Sequence, residues 1–215
     1  MDEAKPARGG DQSSRERFLS AADDLFIAYG YDGCTIRAIA AQAGTSLASL
    51  SRNWSSKRHL FEEVFQRHFD PIHSAQQRNF DALEASGDLT VQRILTAFFD
   101  SAISRGGSAG ENRRSYRVYC CALADPSTEA REITRPLVTP VRGRLIGLMR
   151  RALPDMDDQR FFLAMNVVLG AYVYPQTHGE RLAGIMELDI SGVDWRAAVE
   201  TLAGFVSDGL SSHAR

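Results

Sequence analysis

The sequence predicts an all-α protein of about nine helices, with a small N-terminal domain and a larger C-terminal one. Apolar residues recur three and four positions apart along most of the chain, and no stretch alternates as a half-buried strand would. Residues that start and end helices stand between these periodic stretches. The chain has 215 residues, 44% hydrophobic and 24% charged, which excludes collagen-like, disulfide-scaffold and wholly disordered proteins.

The N-terminal residues predict a flexible tail followed by a long first helix. Residues 1–12 combine glycines with charges of both signs. Ser13 and Glu16 have the spacing of a capping box, in which the hydroxyl accepts from a free amide and the carboxylate reaches back. Gly30 is placed to end this helix in a left-handed conformation.

Three more helices are predicted before residue 71. The residues that can cap them are Thr35, Ser46 and either Ser55 or Ser56. Gly44 breaks the second helix and lets the third cross it at a steep angle. Pro71 has no amide hydrogen, so it is predicted to kink or end the fourth helix.

The C-terminal part is predicted to be helical as well. The predicted helices span 90–105, 115–124, 126–153, 159–174 and 194–211, with a loop at 106–110. Pro126 and Asp194 are placed to begin two of them. Residues 159–174 are apolar nearly all round, which predicts burial on several sides. The last helix carries a heptad-like row that suits helix pairing: Trp195, Val199, Leu202, Val206 and Leu210.

The sequence indicates a cytoplasmic protein without a membrane segment. No window reaches 18 consecutive apolar residues, and residues 1–11 lack the apolar region of a signal peptide. The cysteines are Cys34, Cys120 and Cys121, an odd number that suggests reduced thiols. A redox-sensing role for one of the adjacent pair is the alternative.

The stretch from Gly33 to Phe61 predicts a helix-turn-helix that binds DNA. Two short helices meet at Gly44, and this geometry places the second helix in a major groove. The stretch carries four basic residues and no acidic one, although the whole chain has a net charge of −2. Its basic residues are Arg37, Arg52, Lys57 and Arg58. A solvated helical face is the alternative interpretation of this charge.

The order of residues in this region resembles the N-terminal signature of the TetR family of bacterial transcriptional regulators. Thr-Ile-x-x-Ile-Ala-x-x-Ala-Gly begins at Thr35, a short helix and Trp54 follow, and Ser-Lys-x-x-Leu-Phe begins at Ser56. The resemblance covers residues 14–65. It implies a helix-turn-helix domain over 13–62 and an effector-binding and dimerisation domain over 63–215.

The resemblance also implies roles for individual residues. Thr35 and Lys57 match positions that meet backbone phosphate. Arg52 can read guanine and Asn53 adenine, or either can hold phosphate. The full predicted DNA-binding set is Thr35, Arg37, Thr45, Ser46, Leu47, Ala48, Ser49, Arg52, Asn53 and Lys57. Family members usually carry a tyrosine and a histidine just before the aromatic, whereas this chain has Ser51, Arg52 and Asn53.

A hydrophobic effector is predicted to bind in the C-terminal domain. The chain is weakly similar to TetR members that respond to fatty acids or acyl-CoA, which suggests an acyl chain. The predicted lining is Phe98, Phe99, Tyr116, Tyr119, Phe162, Met165, Asn166, Tyr172 and His178. Asn166 is polar in an otherwise apolar helix, so we expect a ligand or a dimer mate to pair with it. Plain core packing is the alternative for each of these residues.

The predicted mechanism is that of a ligand-responsive repressor. A homodimer formed through residues 159–174 and 194–211 would bind a palindromic operator, with one recognition helix in each half-site. The effector would shift the fourth helix and misplace the half-sites.

Other functions find less support in the sequence. The competing classes are a helical enzyme or carrier with an apolar cavity, and a helical protein-interaction module. No catalytic or nucleotide-binding fingerprint is present, so no enzyme and no cofactor are expected. His59 and Glu63 lie one turn apart but lack a third ligand, so no metal site is expected.

Overall fold

The computed structural model describes residues 9–106 and 111–212, and within these ranges it contains nine α-helices and no strand. The helices are α1 (Gly9–Gly33), α2 (Ile36–Gln42), α3 (Leu47–Asn53), α4 (Lys57–Ser86), α5 (Val91–Gly106), α6 (Glu111–Ala124), α7 (Thr128–Ala152), α8 (Asp158–Ile185) and α9 (Trp195–Ser212). The all-α prediction and its number of helices are confirmed. No helix in the described ranges is long and apolar enough to cross a membrane.

Most of the predicted helix starts are confirmed by their hydrogen bonds. The Thr35, Ser46 and Ser56 hydroxyls each accept from the amide three residues on, at 3.1 Å. The Asp194 carboxylate accepts from the amide of Arg196 at 2.9 Å. These side chains satisfy amides that the first turn of a helix leaves without a partner.

The first helix begins earlier than predicted. It starts at Gly9, so Ser13 lies inside the helix and the predicted cap there is wrong. Residues 1–8 of the predicted tail lie outside the described residues. Gly30 does interrupt the helix, with φ 66° and ψ −175°, and the chain turns briefly helical again up to Gly33. The left-handed φ is the reason for glycine at this position.

Pro71 does not end the fourth helix, which was one of the two outcomes predicted for it. Helix α4 continues through it to Ser86, and Pro71 is exposed. Buried residues continue on both sides, from Leu60 to Phe69 and from Ile72 to Leu83. Burial of this long apolar stripe offsets the one backbone hydrogen bond that proline removes.

Two C-terminal helices also differ from prediction. Helix α7 begins at Thr128 rather than at Pro126. Helix α8 extends to Ile185, and its predicted burial on several sides is wrong for the single chain. Phe162, Leu163 and Val167 are 66%, 58% and 55% exposed. The apolar face of α8 is therefore left exposed in the single chain.

The heptad-like row of helix α9 packs within the chain. Val199, Val206 and Leu210 from the heptad-like row are buried within the chain, where α9 packs chiefly on α5. The row is therefore occupied by an intramolecular contact. Phe205 lies outside this row and is 72% exposed.

Candidate nucleic-acid interface and effector core

A left-handed glycine sets the angle between α2 and α3. Gly44 has φ 62°, which L side chains rarely adopt. Its amide donates to the Ala41 carbonyl and the amide of Thr45 donates to the Ala40 carbonyl, both at 3.1 Å. These two bonds form a Schellman motif, which ends α2 and turns the chain into α3.

The inner face of α3 is held by two buried residues. Leu50 is fully buried, and the Trp54 ring meets Phe18 edge-on with centroids 5.8 Å apart. The Trp54 indole Nε1 donates to Glu63 Oε2 on α4 at 2.8 Å. Because this face is fixed, Leu47, Ala48, Ser51 and Arg52 point to solvent. The recognition face predicted from the sequence is therefore exposed.

The four basic residues of this region divide into two pairs. Arg37 and Arg52 are exposed and form no ion pair with any residue of 9–106 or 111–212. Lys57 Nζ instead donates to the Tyr31 carbonyl at 2.9 Å and lies 4.1 Å from the centroid of the Tyr31 ring. Arg58 Nη1 lies 3.6 Å from the Glu132 carboxylate on α7. Two of the four positive charges thus have no ion-pair partner in the described ranges, Lys57 is bonded within the N-terminal domain, and the exposed Arg58 forms a surface ion pair with α7.

Three other predicted DNA-binding residues already form hydrogen bonds within the chain. The Thr35 and Ser46 hydroxyls cap helices, and Asn53 Nδ2 donates to the Ser49 carbonyl at 3.0 Å. Thr45 is half-buried, and its Oγ1 has no hydrogen-bond partner among the described residues. Thr45 therefore has an unused hydroxyl beside the turn.

The Asp125 carboxylate joins α1 to the connection between α6 and α7. Asp125 is buried, and its oxygens accept from the amides of Tyr31 at 2.6 Å and Ser127 at 2.8 Å. A Cβ on Gly30 would lie 3.0 Å from Asp125 Oδ2, so glycine also permits this approach. Asp125 and Tyr31 are 94 residues apart. No local sequence pattern could have predicted their contact.

A second buried contact joins α1, α4 and α6. His68 Nε2 lies 3.0 Å from Asp23 Oδ1, and His68 Nδ1 lies 2.9 Å from the Ser115 hydroxyl. Arg114 Nη2 donates to the Ser20 carbonyl at 2.7 Å. Helix α6 is therefore attached to the DNA-binding domain at both of its ends.

Five of the nine predicted effector residues form one buried aromatic core. They are Phe98, Phe99, Tyr116, Tyr119 and Tyr172. The Phe98 and Tyr172 rings have centroids 4.5 Å apart. Met165 is buried on α8, the helix that also carries Tyr172. These residues come from α5, α6 and α8, and α4 packs against the same core.

The other three predicted residues are not part of this core. Phe162, Asn166 and His178 are exposed on α8. Asn166 Nδ2 donates to the Phe162 carbonyl of its own helix at 2.7 Å, so the side chain has a partner without a ligand or a second subunit. His178 stacks on Tyr174, with centroids 5.0 Å apart.

Polar groups run through the aromatic core. Gln76 Nε2 donates to the Phe98 carbonyl at 3.1 Å and to the Tyr172 hydroxyl at 3.2 Å. His73 Nε2 lies 3.1 Å from the Tyr119 hydroxyl. Gln76 is fully buried, and its Oε1 has no partner among the described residues. A buried acceptor without a donor is costly in free energy. Gln76 Oε1 is therefore free to accept a hydrogen bond from a bound molecule.

Burial keeps the ionisable groups of this core neutral. It lowers the pKa of His73 to about 3, with the nearby Arg142 as a second cause. Burial also raises the pKa of the Tyr119 and Tyr172 hydroxyls above their usual range. The core therefore offers hydrogen bonds and apolar surface rather than charge.

The structure does not support a reactive cysteine. Cys34 and Cys120 are buried and Cys121 is half-buried. Burial raises the pKa of all three thiols, that of Cys34 to about 11, which lowers the thiolate fraction that oxidation requires. Within 9–106 and 111–212, no group of three or more His, Cys, Asp or Glu residues is placed to hold a metal ion.

An exposed second helix that follows a fixed turn is the DNA-reading element of a helix-turn-helix protein. The family model described as "Bacterial regulatory proteins, tetR family" matches residues 18–64. The model described as "Tetracyclin repressor-like, C-terminal domain" matches residues 96–209, more than half of the chain. The chain belongs to the TetR family of bacterial regulatory proteins.

One curated protein and several solved structures resemble this chain. The chain is 34% identical over 107 residues to the HTH-type transcriptional activator FasR of Mycolicibacterium smegmatis. That match covers 46% of this chain and 48% of FasR, so it spans about half of the relative's length.

The similar structures show the shared fold. FadR from Bacillus subtilis, solved with stearoyl-CoA, is 13% identical with a TM-score of 0.59, covering 91% of this chain and 98% of that one. PfmR from Thermus thermophilus is 18% identical with a TM-score of 0.60, covering 90% and 98%. A TetR-like regulator from Rhodococcus sp. RHA1 is 25% identical with a TM-score of 0.54, covering 92% and 96%.

The left-handed turn yields a prediction with a matched control. Gly44→Ala should cost about 1–2 kcal/mol of unfolding free energy, because alanine disfavours positive φ, and should also weaken DNA binding. Gly87 has φ 71°, and a Cβ there, as at Gly44, would meet no atom within 4 Å. Gly87→Ala should therefore lose similar stability in chemical denaturation without losing DNA affinity. Equal DNA affinity of the two variants would contradict a role of the turn in recognition.

Proposed function

We propose that this chain is a ligand-responsive transcriptional regulator that binds a palindromic DNA operator as a homodimer. The observation that carries the proposal is the solvent-exposed face of α3, held in a fixed orientation by Gly44, Leu50 and Trp54. Major-groove recognition requires such a rigid, exposed helix with side chains free to contact base edges.

The free charges of the exposed face support contact with DNA. Arg37 and Arg52 have no ion-pair partner in the described ranges, so a phosphate or a guanine can take their donors without breaking an existing ion pair. Lys57 has three ammonium hydrogens and uses two acceptors within the chain, the Tyr31 and Cys34 carbonyls. One donor of Lys57 remains for a phosphate. Leu47, exposed at the start of α3, suits contact with a thymine methyl group.

The exposed apolar face of α8 supports pairing with a second copy. Phe162, Leu163 and Val167 are exposed together at the N-terminal half of the helix, and Phe205 is exposed on α9. A two-fold interface requires a self-complementary apolar surface, which these residues provide. Pairing through α8 and the outer side of α9 would place the two α3 helices for a palindromic site.

We propose the aromatic core as the effector site, with an acyl compound as the ligand class. Its apolar rings and the unpartnered Gln76 Oε1 suit a hydrocarbon chain that carries a polar group. One similar structure supports the class: FadR from Bacillus subtilis was solved in complex with stearoyl-CoA.

The contacts between α6 and α1 would transmit a structural change from the effector site to the DNA-binding domain. Tyr116 and Tyr119 on α6 lie in the aromatic core, whereas Arg114 on the same helix donates to the Ser20 carbonyl of α1. A ligand that displaces α6 would therefore move α1 and, through it, α3. We propose that this change releases DNA, which corresponds to a repressor; FasR is by name an activator.

DNA binding is tested by titrating salt against binding to fragments selected from the source genome. Arg37→Ala and Arg52→Ala should each reduce the slope of log affinity against log salt by about 1 if the arginine contacts phosphate. If Arg52 reads a base instead, its loss should relax the sequence preference by about 1–3 kcal/mol. Arg78→Ala, which removes an exposed arginine from α4, is the matched control and should leave binding unchanged. Wild-type behaviour of both variants would refute the proposed interface.

Dimerisation is tested by placing a charge on the α8 face. Val167→Glu should give a monomer at micromolar concentration in light scattering, because a buried unpaired carboxylate is strongly unfavourable. Tyr29→Glu places the same charge on an exposed aromatic of α1 and should remain a dimer. A dimeric Val167→Glu protein would show that pairing uses another surface.

The effector site is tested through Gln76. Dodecanoyl-CoA should raise the melting temperature of the wild-type protein and release it from DNA. Gln76→Met should require about tenfold more ligand for release, since one hydrogen bond is lost. Asn79→Met is the control, because Asn79 donates to the Ala97 carbonyl outside the aromatic core. Stabilisation by polar metabolites and not by acyl chains would contradict the proposed class.

A further inference from the structure

A carboxylate on α4 holds the C-terminal end of α3. Glu63 Oε2 accepts from the Trp54 indole Nε1 at 2.8 Å, and Glu63 Oε1 pairs with the Arg15 guanidinium of α1. The Arg15 guanidinium also lies 5.4 Å from the centroid of the Trp54 ring, within the range of a cation–π contact. Each of the three side chains therefore contacts the other two, and the cluster joins α1, the end of α3 and α4.

The indole hydrogen bond is a directional contact at the end of a short helix. Helix α3 has seven residues, and Trp54 is its C-cap, whose amide donates to the Leu50 carbonyl at 3.0 Å. Leu50 is buried, but apolar packing alone is not directional, whereas a hydrogen bond requires that donor and acceptor be aligned. The bond to Glu63 therefore restricts how α3 can rotate about its own axis.

Rotation of α3 changes the direction of Arg52. Arg52 lies two residues before Trp54, is exposed, and forms no ion pair with any described residue. A guanidinium reads guanine through two parallel hydrogen bonds that need a defined direction, whereas phosphate contacts carry no sequence information. A rotated α3 would therefore lose sequence preference more than it loses contact with the DNA backbone.

We propose that Glu63 is a positioning residue for DNA recognition, which sets the direction of Arg52 through the indole of Trp54. The inference rests on the proposed function and adds a residue to its DNA-reading site. Arg15 holds the second carboxylate oxygen, so the carboxylate is kept in line with the indole. Glu63 thus acts on DNA recognition through α3, without touching DNA itself.

The test measures the ratio of the affinities for a selected operator and for a scrambled duplex of equal length, at several salt concentrations. Glu63→Met should lower this ratio about tenfold, as expected for a lost hydrogen bond to a charged group. The salt slope should stay unchanged, because no phosphate contact is removed. Glu63→Gln keeps an acceptor for the indole, so its ratio should stay within about threefold of wild type.

The neighbouring glutamate provides a matched control. Glu62 is also half-buried on α4, and it forms no ion pair or hydrogen bond with any described residue. Glu62→Met removes the same charge and should leave the affinity ratio at the wild-type value. A change of charge alone alters the affinities for both duplexes alike, so the ratio is insensitive to it.

A double-mutant cycle separates positioning from general support of the fold. Trp54→Phe keeps an aromatic ring but removes the N–H donor, so it should lower the ratio about as much as Glu63→Met. Adding Glu63→Met to Trp54→Phe should cause no further loss, because the interaction between the two residues is already gone. All variants are assayed well below their melting temperatures, so that loss of folded protein cannot imitate a loss of preference.

The results that would overturn the inference differ from those that would overturn the proposed function. An unchanged ratio for Glu63→Met, an equal loss for Glu62→Met, or additive losses in the cycle would reject the positioning role and leave the proposed regulator intact. A smaller salt slope for Glu63→Met would also reject it, because the variant would then have lost a phosphate contact. Absence of any sequence preference in the wild-type protein would reject the proposed function itself.

Discussion

The hydrogen bond between the Tyr31 amide and the Asp125 carboxylate is the contact on which the arrangement of the two domains depends. It is short at 2.6 Å, it is buried, and it meets the chain where Gly30 interrupts α1. Hydrogen bonds to a charged acceptor are about twice as strong as neutral ones, and burial strengthens them further. The position of α1 is therefore fixed in part by a residue of the C-terminal half, beside the contacts that His68 and Arg114 make with the same helix.

The basic residues of the DNA-binding domain show how one type of side chain serves two purposes. Lys57 donates to the Tyr31 carbonyl of α1, and Arg58 forms ion pairs with Glu129 and Glu132 of α7. Arg37 and Arg52 stay free because no acidic residue of the described ranges is within ion-pair distance of them. A nearly neutral chain can therefore bind a polyanion along one edge, since the charge that matters is local and unpaired.

The C-terminal domain separates polar, apolar and charged surfaces in a similar way. The aromatic core holds Gln76, His73 and three tyrosines as neutral hydrogen-bonding groups, and the arginines of α7 stay at the surface. Desolvation explains this division, because an ion loses far more free energy than a neutral group when it leaves water. Helix α6 packs against α5 and α8 around the core and against α1 of the DNA-binding domain.

The sequence by itself determined the helical class, most of the caps and the break between α2 and α3 at Gly44. These follow from local rules, since periodicity, capping and glycine conformation act over a few residues. The tertiary structure decided which side chains are bonded within the chain and which stay free to contact another molecule. It placed Lys57 and Arg58 in intramolecular bonds, carried α4 through Pro71, buried the α9 row on α5 and left the α8 face exposed. It also brought Asp125 to Tyr31 and Gln76 to Tyr172, across 94 and 96 residues of chain. Such contacts depend on how whole helices pack, because a residue's own neighbours in sequence carry no information about a partner so far along the chain.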